Sequence, residues 1–99
     1  MLRRMIEDIK KRALHRSRIL EGQMRGLQKM IDDEEYCVDI LTQSLAIQKS
    51  LGSLNKLLVE NHLRTHVTHM FEAGGEEAER AVAELVTVFE LGSNRGSQG

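Results

Sequence analysis

The only thiol in this 99-residue chain is Cys37, and three of its four histidines, His62, His66 and His69, lie close together in sequence. Thiolate sulfur and neutral imidazole nitrogen are ligands for Cu(I), Zn(II), Ni(II) and Co(II). In His62-Leu-Arg-Thr-His66 the i, i+4 spacing projects both rings from one face of a helix. At about 100° per residue, His66 lies about 40° from His62 and His69 about −20°. His62 and His66 are assigned as ligands, and the spacing leaves open whether His69 joins them. Cys37 stands at the expected start of the same helix, where the backbone dipole favours a thiolate. His15 is isolated among basic residues and takes no metal role. Glu60 is near the histidine pair, but the HExxH order of a zinc hydrolase is absent, which argues against an enzyme.

The elements that must position these groups are helices. Proline is absent, and Ala, Leu, Glu, Lys, Arg, Gln and Met are plentiful, so nothing interrupts long helices. Apolar spacings of three, four and seven predict a first amphipathic helix over residues 2–31. The acidic run 32–35 breaks that pattern, with Asp32 or Asp33 expected to cap the next helix. A very long second helix follows over 36–71, its stripe formed by Ile40, Ile47, Leu51, Leu54 and Leu58 and widened by Leu41 and Leu45. After Gly74-Gly75, a short third helix carries Ala78, Ala81, Val82, Leu85, Val88 and Phe89. Residues 1–91 are thus expected as one all-α domain. The Gly/Ser-rich stretch 92–99 is expected as a flexible tail.

Length then constrains assembly. A helix of 36 residues is roughly 54 Å long, whereas a compact domain of this size has a radius of gyration of about 13 Å. One chain cannot cover such a helix, and uncovered apolar surface marks an interface. An antiparallel homodimer resembling a four-helix bundle, pairing into a tetramer, answers this. It also answers a second problem. Cys37 and His62 lie roughly 37 Å apart along one straight helix, far beyond the ~2.0–2.3 Å of metal–ligand bonds. Head-to-tail pairing brings Cys37 of one subunit to the partner subunit's His62 and His66, making two identical sites. Three such ligands favour trigonal Cu(I), with Zn(II), Ni(II) and Co(II) remaining open.

Charge is unevenly divided. Residues 1–30 carry nine Lys/Arg against three Asp/Glu, a balance of +6, while 31–99 carry five against twelve, a balance of −7. A basic first helix on a near-neutral chain suits an anionic partner such as double-stranded DNA. Aromatics make up only 3% of the chain, too few for a stacking platform on single strands. No uncharged run approaches the ~20 residues of a membrane span. The basic N-terminus lacks the apolar segment of a signal peptide, and a lone Cys forms no internal disulfide, so the cytoplasm is expected.

Three blocks resemble the CsoR/RcnR family of metal-sensing transcriptional repressors: Arg18-Ile-Leu-Glu-Gly-Gln-Met-Arg-Gly-Leu-Gln-Lys-Met-Ile31, Tyr36-Cys-Val-Asp-Ile-Leu-Thr-Gln43 and Glu60-Asn-His-Leu-Arg-Thr-His66. The resemblance covers about residues 10–91. It implies a cytoplasmic, all-helical dimer or tetramer that binds operator DNA in the metal-free form and leaves it on binding metal, releasing metal-efflux genes. Cys37 matches the family thiolate and His62 the first ligand of the second helix. His66 stands where copper sensors usually carry a second Cys, and a Cys-His-His set is also part of the nickel/cobalt pattern. That pattern includes a further N-terminal His, which residues 1–14 lack; Met5 stands roughly in its place. The formaldehyde-sensing branch has an N-terminal Pro and the persulfide-sensing branch two Cys, and this chain has neither. The resemblance therefore puts Cu(I) first, with Ni(II), Co(II) or Zn(II) as alternatives. Tyr36 and Glu84 resemble the pair with which copper sensors couple the site to the third helix. Arg16 matches a basic first-helix position implicated in DNA binding, and charge adds Arg12, Arg18 and Arg25.

Overall fold

The computed structural model describes residues 5–96, with side chains described over 5–92, and every element among these residues is helical. They form two compact units that divide between Asn61 and His62.

In the first unit, α1 spans Glu7–Asp32 and opens into α2, Cys37–His62. The predicted helix start at residues 2–4 lies outside the described residues. No side chain caps α1. Instead the Ile6 N–H donates to Asn61 Oδ1 at 2.9 Å, fixing the chain's entry into the helix. Glu7 and Asp8 in the first turn suit the positive end of the dipole.

The end of α1 corrects the expected cap. Asp33 closes α1 rather than starting α2, with its side chain 3.0 Å from Lys29 Nζ. Glu34 N–H reaches Ile31 O at 3.0 Å and Glu35 N–H reaches Met30 O at 3.0 Å. Glu34 sits at φ 52°. That is a Schellman closure, in which the left-handed residue satisfies the last carbonyls of the helix. The acids therefore serve α1's carboxyl end. At the start of α2 the Tyr36 carbonyl accepts from Asp39 at 2.9 Å and Ile40 at 3.2 Å.

The α1–α2 pair is antiparallel. Ile6 meets Asn61, Ile9 and Ala13 pack with Leu57, and the Gln43 side chain donates to Gln23 O at 3.2 Å. Ile9, Ala13 and Leu57 are buried, with Met5, Ile6 and Leu54 against them. Ile47 is also buried, as expected. Leu41, Leu45, Leu51 and Leu58 are exposed, so only one edge of the predicted stripe faces α1.

In the second unit a π-helical turn, Leu63–Val67, continues from His62 without a break into α3, Thr68–Ala73. The second helical run thus ends near the expected position, but with a widened turn inside it. Thr68 Oγ1 donates to Leu63 O at 2.8 Å, five residues back, matching the π register. Gly74 and Gly75 turn the chain at φ 72° and 51°, a region open to glycine without a Cβ clash. α4 then spans Gly75–Gly96. Val67, Met70 and Ala81 are buried together, with Leu85 against them.

α4 takes in the first part of the Gly/Ser-rich stretch. It continues past Leu91 to Gly96, because each added residue extends the hydrogen-bond ladder and no proline stops it. Residues 97–99 lie outside the described residues.

Candidate metal centre and DNA-facing surface

Cys37 is the first residue of α2 and is exposed. His62 is the last residue of that helix, and His66 lies in the π turn after it. The two imidazoles are half-buried, with ring centroids 5.3 Å apart and planes tilted by 33°. The i, i+4 spacing thus delivers a pair of adjacent nitrogen donors. His69 is exposed. A π turn holds one more residue than an α turn, which shifts the angular position of everything after it. The simple 100° rule that put His69 on this face does not carry across it.

Two contacts orient the pair. Thr65 Oγ1 lies 3.1 Å from His66 Nδ1. Glu84 Oε1 in α4 lies 3.7 Å from His62 Nε2, in ion-pair range but too long for a hydrogen bond. His62 and Glu84 also line an open, mainly apolar groove of about 450 Å³ with Ala83, Thr87 and Val88. Glu84 therefore stands beside His62. Tyr36 is exposed just ahead of Cys37. Among the described residues of one chain, no group of three or more His, Cys, Asp or Glu side chains gathers to hold an ion.

The basic residues divide. Arg12 and Arg16, one turn apart on α1, line a cleft of about 190 Å³ with Ser53, Lys56, Leu57 and Glu60 of α2. They also line a second cleft of about 300 Å³ with Lys11, His15 and Ile19. Arg18 and Arg25 line neither. At 100° per residue they lie more than a quarter-turn round α1 from Arg12 and Arg16. Charge counting alone missed Lys56 and Ser53, which reach the clefts only through the register of the helix pair.

Residues 9–90 match the family described as metal-sensitive transcriptional repressor. The chain belongs to this family. As a family member it is a transcriptional regulator, and the expectation that it is not an enzyme holds. This repressor is 37% identical over 75 residues to the copper-sensing transcriptional repressor CsoR of Bacillus subtilis, covering 76% of this chain and 72% of that one. It is 41% identical over 69 residues to the copper-sensing repressor RicR of Mycobacterium tuberculosis, covering 70% and 72%. Its fold is similar to the crystal structure of the copper-sensing repressor CsoR with Cu(I) from Geobacillus thermodenitrificans, at a TM-score of 0.80 and 35% identity, covering 94% of each chain. The all-α expectation is thereby met. No helix among this repressor's described residues is long and apolar enough to cross a membrane.

Proposed function

We propose that this repressor holds operator DNA when metal-free and leaves it on binding Cu(I), releasing genes for metal efflux. The observation that carries the metal assignment is the adjacent His62–His66 pair, 5.3 Å apart between ring centroids. Two imidazoles need a soft third donor to select Cu(I), and Cys37 is the chain's only thiol. Cys37 and His62 end the same 26-residue helix, about 38 Å apart along its axis. The sulfur therefore comes from a second copy, with Cys37 of one subunit meeting the partner subunit's His62 and His66. The copper-sensing names of the relatives support the choice of metal.

Within the chain, the Glu84 carboxylate beside His62 Nε2 and the Thr65 hydroxyl beside His66 Nδ1 would orient the two rings towards an ion held by His62, His66 and the partner's Cys37. Partners of this kind fix ring orientation and tautomer. Tyr36, next to Cys37, and Glu84, on α4, are the residues through which occupancy reaches the rest of the subunit. DNA and metal then oppose each other through one coupling free energy, about 1–3 kcal/mol, or 5- to 150-fold in operator affinity. Arg16 and Arg12, with Arg18 and Arg25 on another face, supply charge for DNA phosphates. Residues 1–91 act as one sensor and DNA-binding unit, in an antiparallel dimer that pairs into a tetramer, and it works in the cytoplasm.

The test is a competition titration of Cu(I), Ni(II), Co(II) and Zn(II), read out as release of a labelled operator fragment. Release by Cu(I) at the lowest free metal concentration supports the reading. Release by Ni(II) or Co(II) alone assigns the other branch. Cys37→Ala should keep metal-free operator binding and lose the response; a variant that still lets go of DNA with Cu(I) removes Cys37 from the ligand set.

A further inference from the structure

α2 carries two stripes, and its own chain covers only one of them. Ile40, Ile47, Leu54, Leu57 and Asn61 are buried or half-buried, in phase with the contacts to α1. Leu41, Leu45, Leu51 and Leu58 are exposed on another side. At about 100° per residue, this second stripe passes through Gln48 and Asn55, one and two heptads after Leu41. Both are exposed amides at places where the pattern calls for leucine. Gly52 adjoins them, four residues after Gln48. Glycine inside a helix is unfavourable relative to alanine, yet a Cβ at Gly52 would meet nothing within 4 Å among the described residues. Nothing in its own chain requires a glycine there.

The shared metal site fixes where a second copy must lie. With Cys37 level with the partner subunit's His62, the midpoint of the α2 pair falls between Lys49 and Ser50. Leu41 is then level with the partner subunit's Leu58, and Ser44 with the partner subunit's Asn55. The stripe thus matches its own reverse, leucine to leucine and polar to polar. The Gln48 residues of the two copies are separated by only about 4–5 Å along the axis. Gly52 comes within one residue of level with the partner subunit's Gln48. Leucines alone do not fix this alignment, because a stripe that repeats every seven residues also fits after a slide of seven. That slide moves the thiol about 10 Å away from the imidazoles. It also buries each central amide under leucine without a hydrogen-bond partner.

Resting on the shared Cys37, His62 and His66 site read above, we propose that Gln48 is a positioning residue for the metal centre. The two Gln48 side chains, one from each copy, hydrogen-bond at the two-fold axis in the room that Gly52 leaves. They hold the α2 pair in the one register that joins thiol to imidazoles. A buried polar pair of this kind gives up stability and gains a unique alignment.

The experiment uses the full-length, metal-free protein with a nitroxide on Cys37, its only thiol, and reads distances by pulsed electron paramagnetic resonance. Wild type should give a narrow distance of about 40 Å, because the labelled residues lie at opposite ends of the paired helices. Gln48→Leu should stay helical and associate at least as tightly in sedimentation velocity. It should nonetheless add a second distance about 10 Å longer or shorter, one heptad away. Unlabelled, its Cu(I) affinity should fall in proportion to the pairs that slip, about tenfold where one pair in ten keeps the register. Gln48→Asn, which keeps the amide, should keep the single distance. Gly52→Ala should favour the helix of its own chain yet weaken the pair about tenfold by crowding the axis. A single unshifted distance in Gln48→Leu with wild-type Cu(I) affinity overturns the register lock, as does a Gly52→Ala pair as tight as wild type. A wild type that lacks the long distance overturns the shared site itself.

Discussion

At the scale of single residues, the chemistry is carried by side chains that other side chains hold in place. Glu84 lies 3.7 Å from His62 Nε2 and is partly exposed. In the proposed site it would serve to orient the ring rather than as a strong ion pair. Glu84→Gln is expected to lower Cu(I) affinity by about 10- to 100-fold while leaving metal-free DNA binding unchanged; a competition titration with a Cu(I) chelator measures the first and operator anisotropy the second. Asn61 is the one buried polar side chain among the described residues, and it accepts the Ile6 N–H. Asn61→Leu should destabilise the fold by about 1–3 kcal/mol, because a partly buried N–H loses its acceptor; the urea midpoint with unchanged slope checks it. The adjacency of His62 and His66 was legible from residue type and spacing, since an i, i+4 pair on a helix needs no tertiary information. The places of Asn61, Ser53 and Lys56 were not. They depend on which residue of α1 faces which residue of α2, and periodicity on one strand of sequence does not contain that register.

At the scale of elements, apolar periodicity located three helical runs, because each face repeats every three or four residues. Their ends were harder, since an acidic run serves equally well as a carboxyl-end closure or as an amino-end cap. Backbone geometry decides between the two. Glu34 at φ 52° completes the Schellman closure of α1, a position that glycine usually fills. Glu34→Gly should raise stability by about 1 kcal/mol by relieving the left-handed conformation, somewhat offset by the entropy of a freer unfolded chain. Thermal unfolding followed at 222 nm tests this, and a lower midpoint would mean that the Glu34 side chain makes a contact worth more than the strain. The π turn at 63–67 was illegible for a different reason. It keeps the helix axis running and adds a single residue, so the hydrophobic pattern slips in phase without breaking. It includes His66 and precedes His69, so the 100° rule cannot fix which face His69 takes.

At the scale of the whole molecule, the protomer buries too little. Among the described residues, the buried apolar ones are Ile9, Ala13, Ile47 and Leu57 in the first unit and Val67, Met70 and Ala81 in the second. Against these stand Val38, Leu41 and Leu45 exposed along α2, and Val82, Val86, Phe89 and Leu91 along α4. Leu45 is 62% exposed and Phe89 75%. Fully burying one such side chain contributes about 1.5–3 kcal/mol, so a second copy covering the α2 stripe would add an amount comparable to a small domain's whole net stability. Under the proposed assembly the unfolding midpoint should rise with protein concentration. Leu45→Glu places a charge on that stripe without touching Cys37, His62 or His66. It is expected to shift the protein towards monomer in sedimentation velocity. It should also abolish tight Cu(I) binding, because the thiol and the imidazoles then belong to chains that no longer meet. The two readouts must move together: a monomeric variant that still binds Cu(I) tightly would place all three donors in one chain, and an oligomeric variant that loses Cu(I) would move the interface off this stripe.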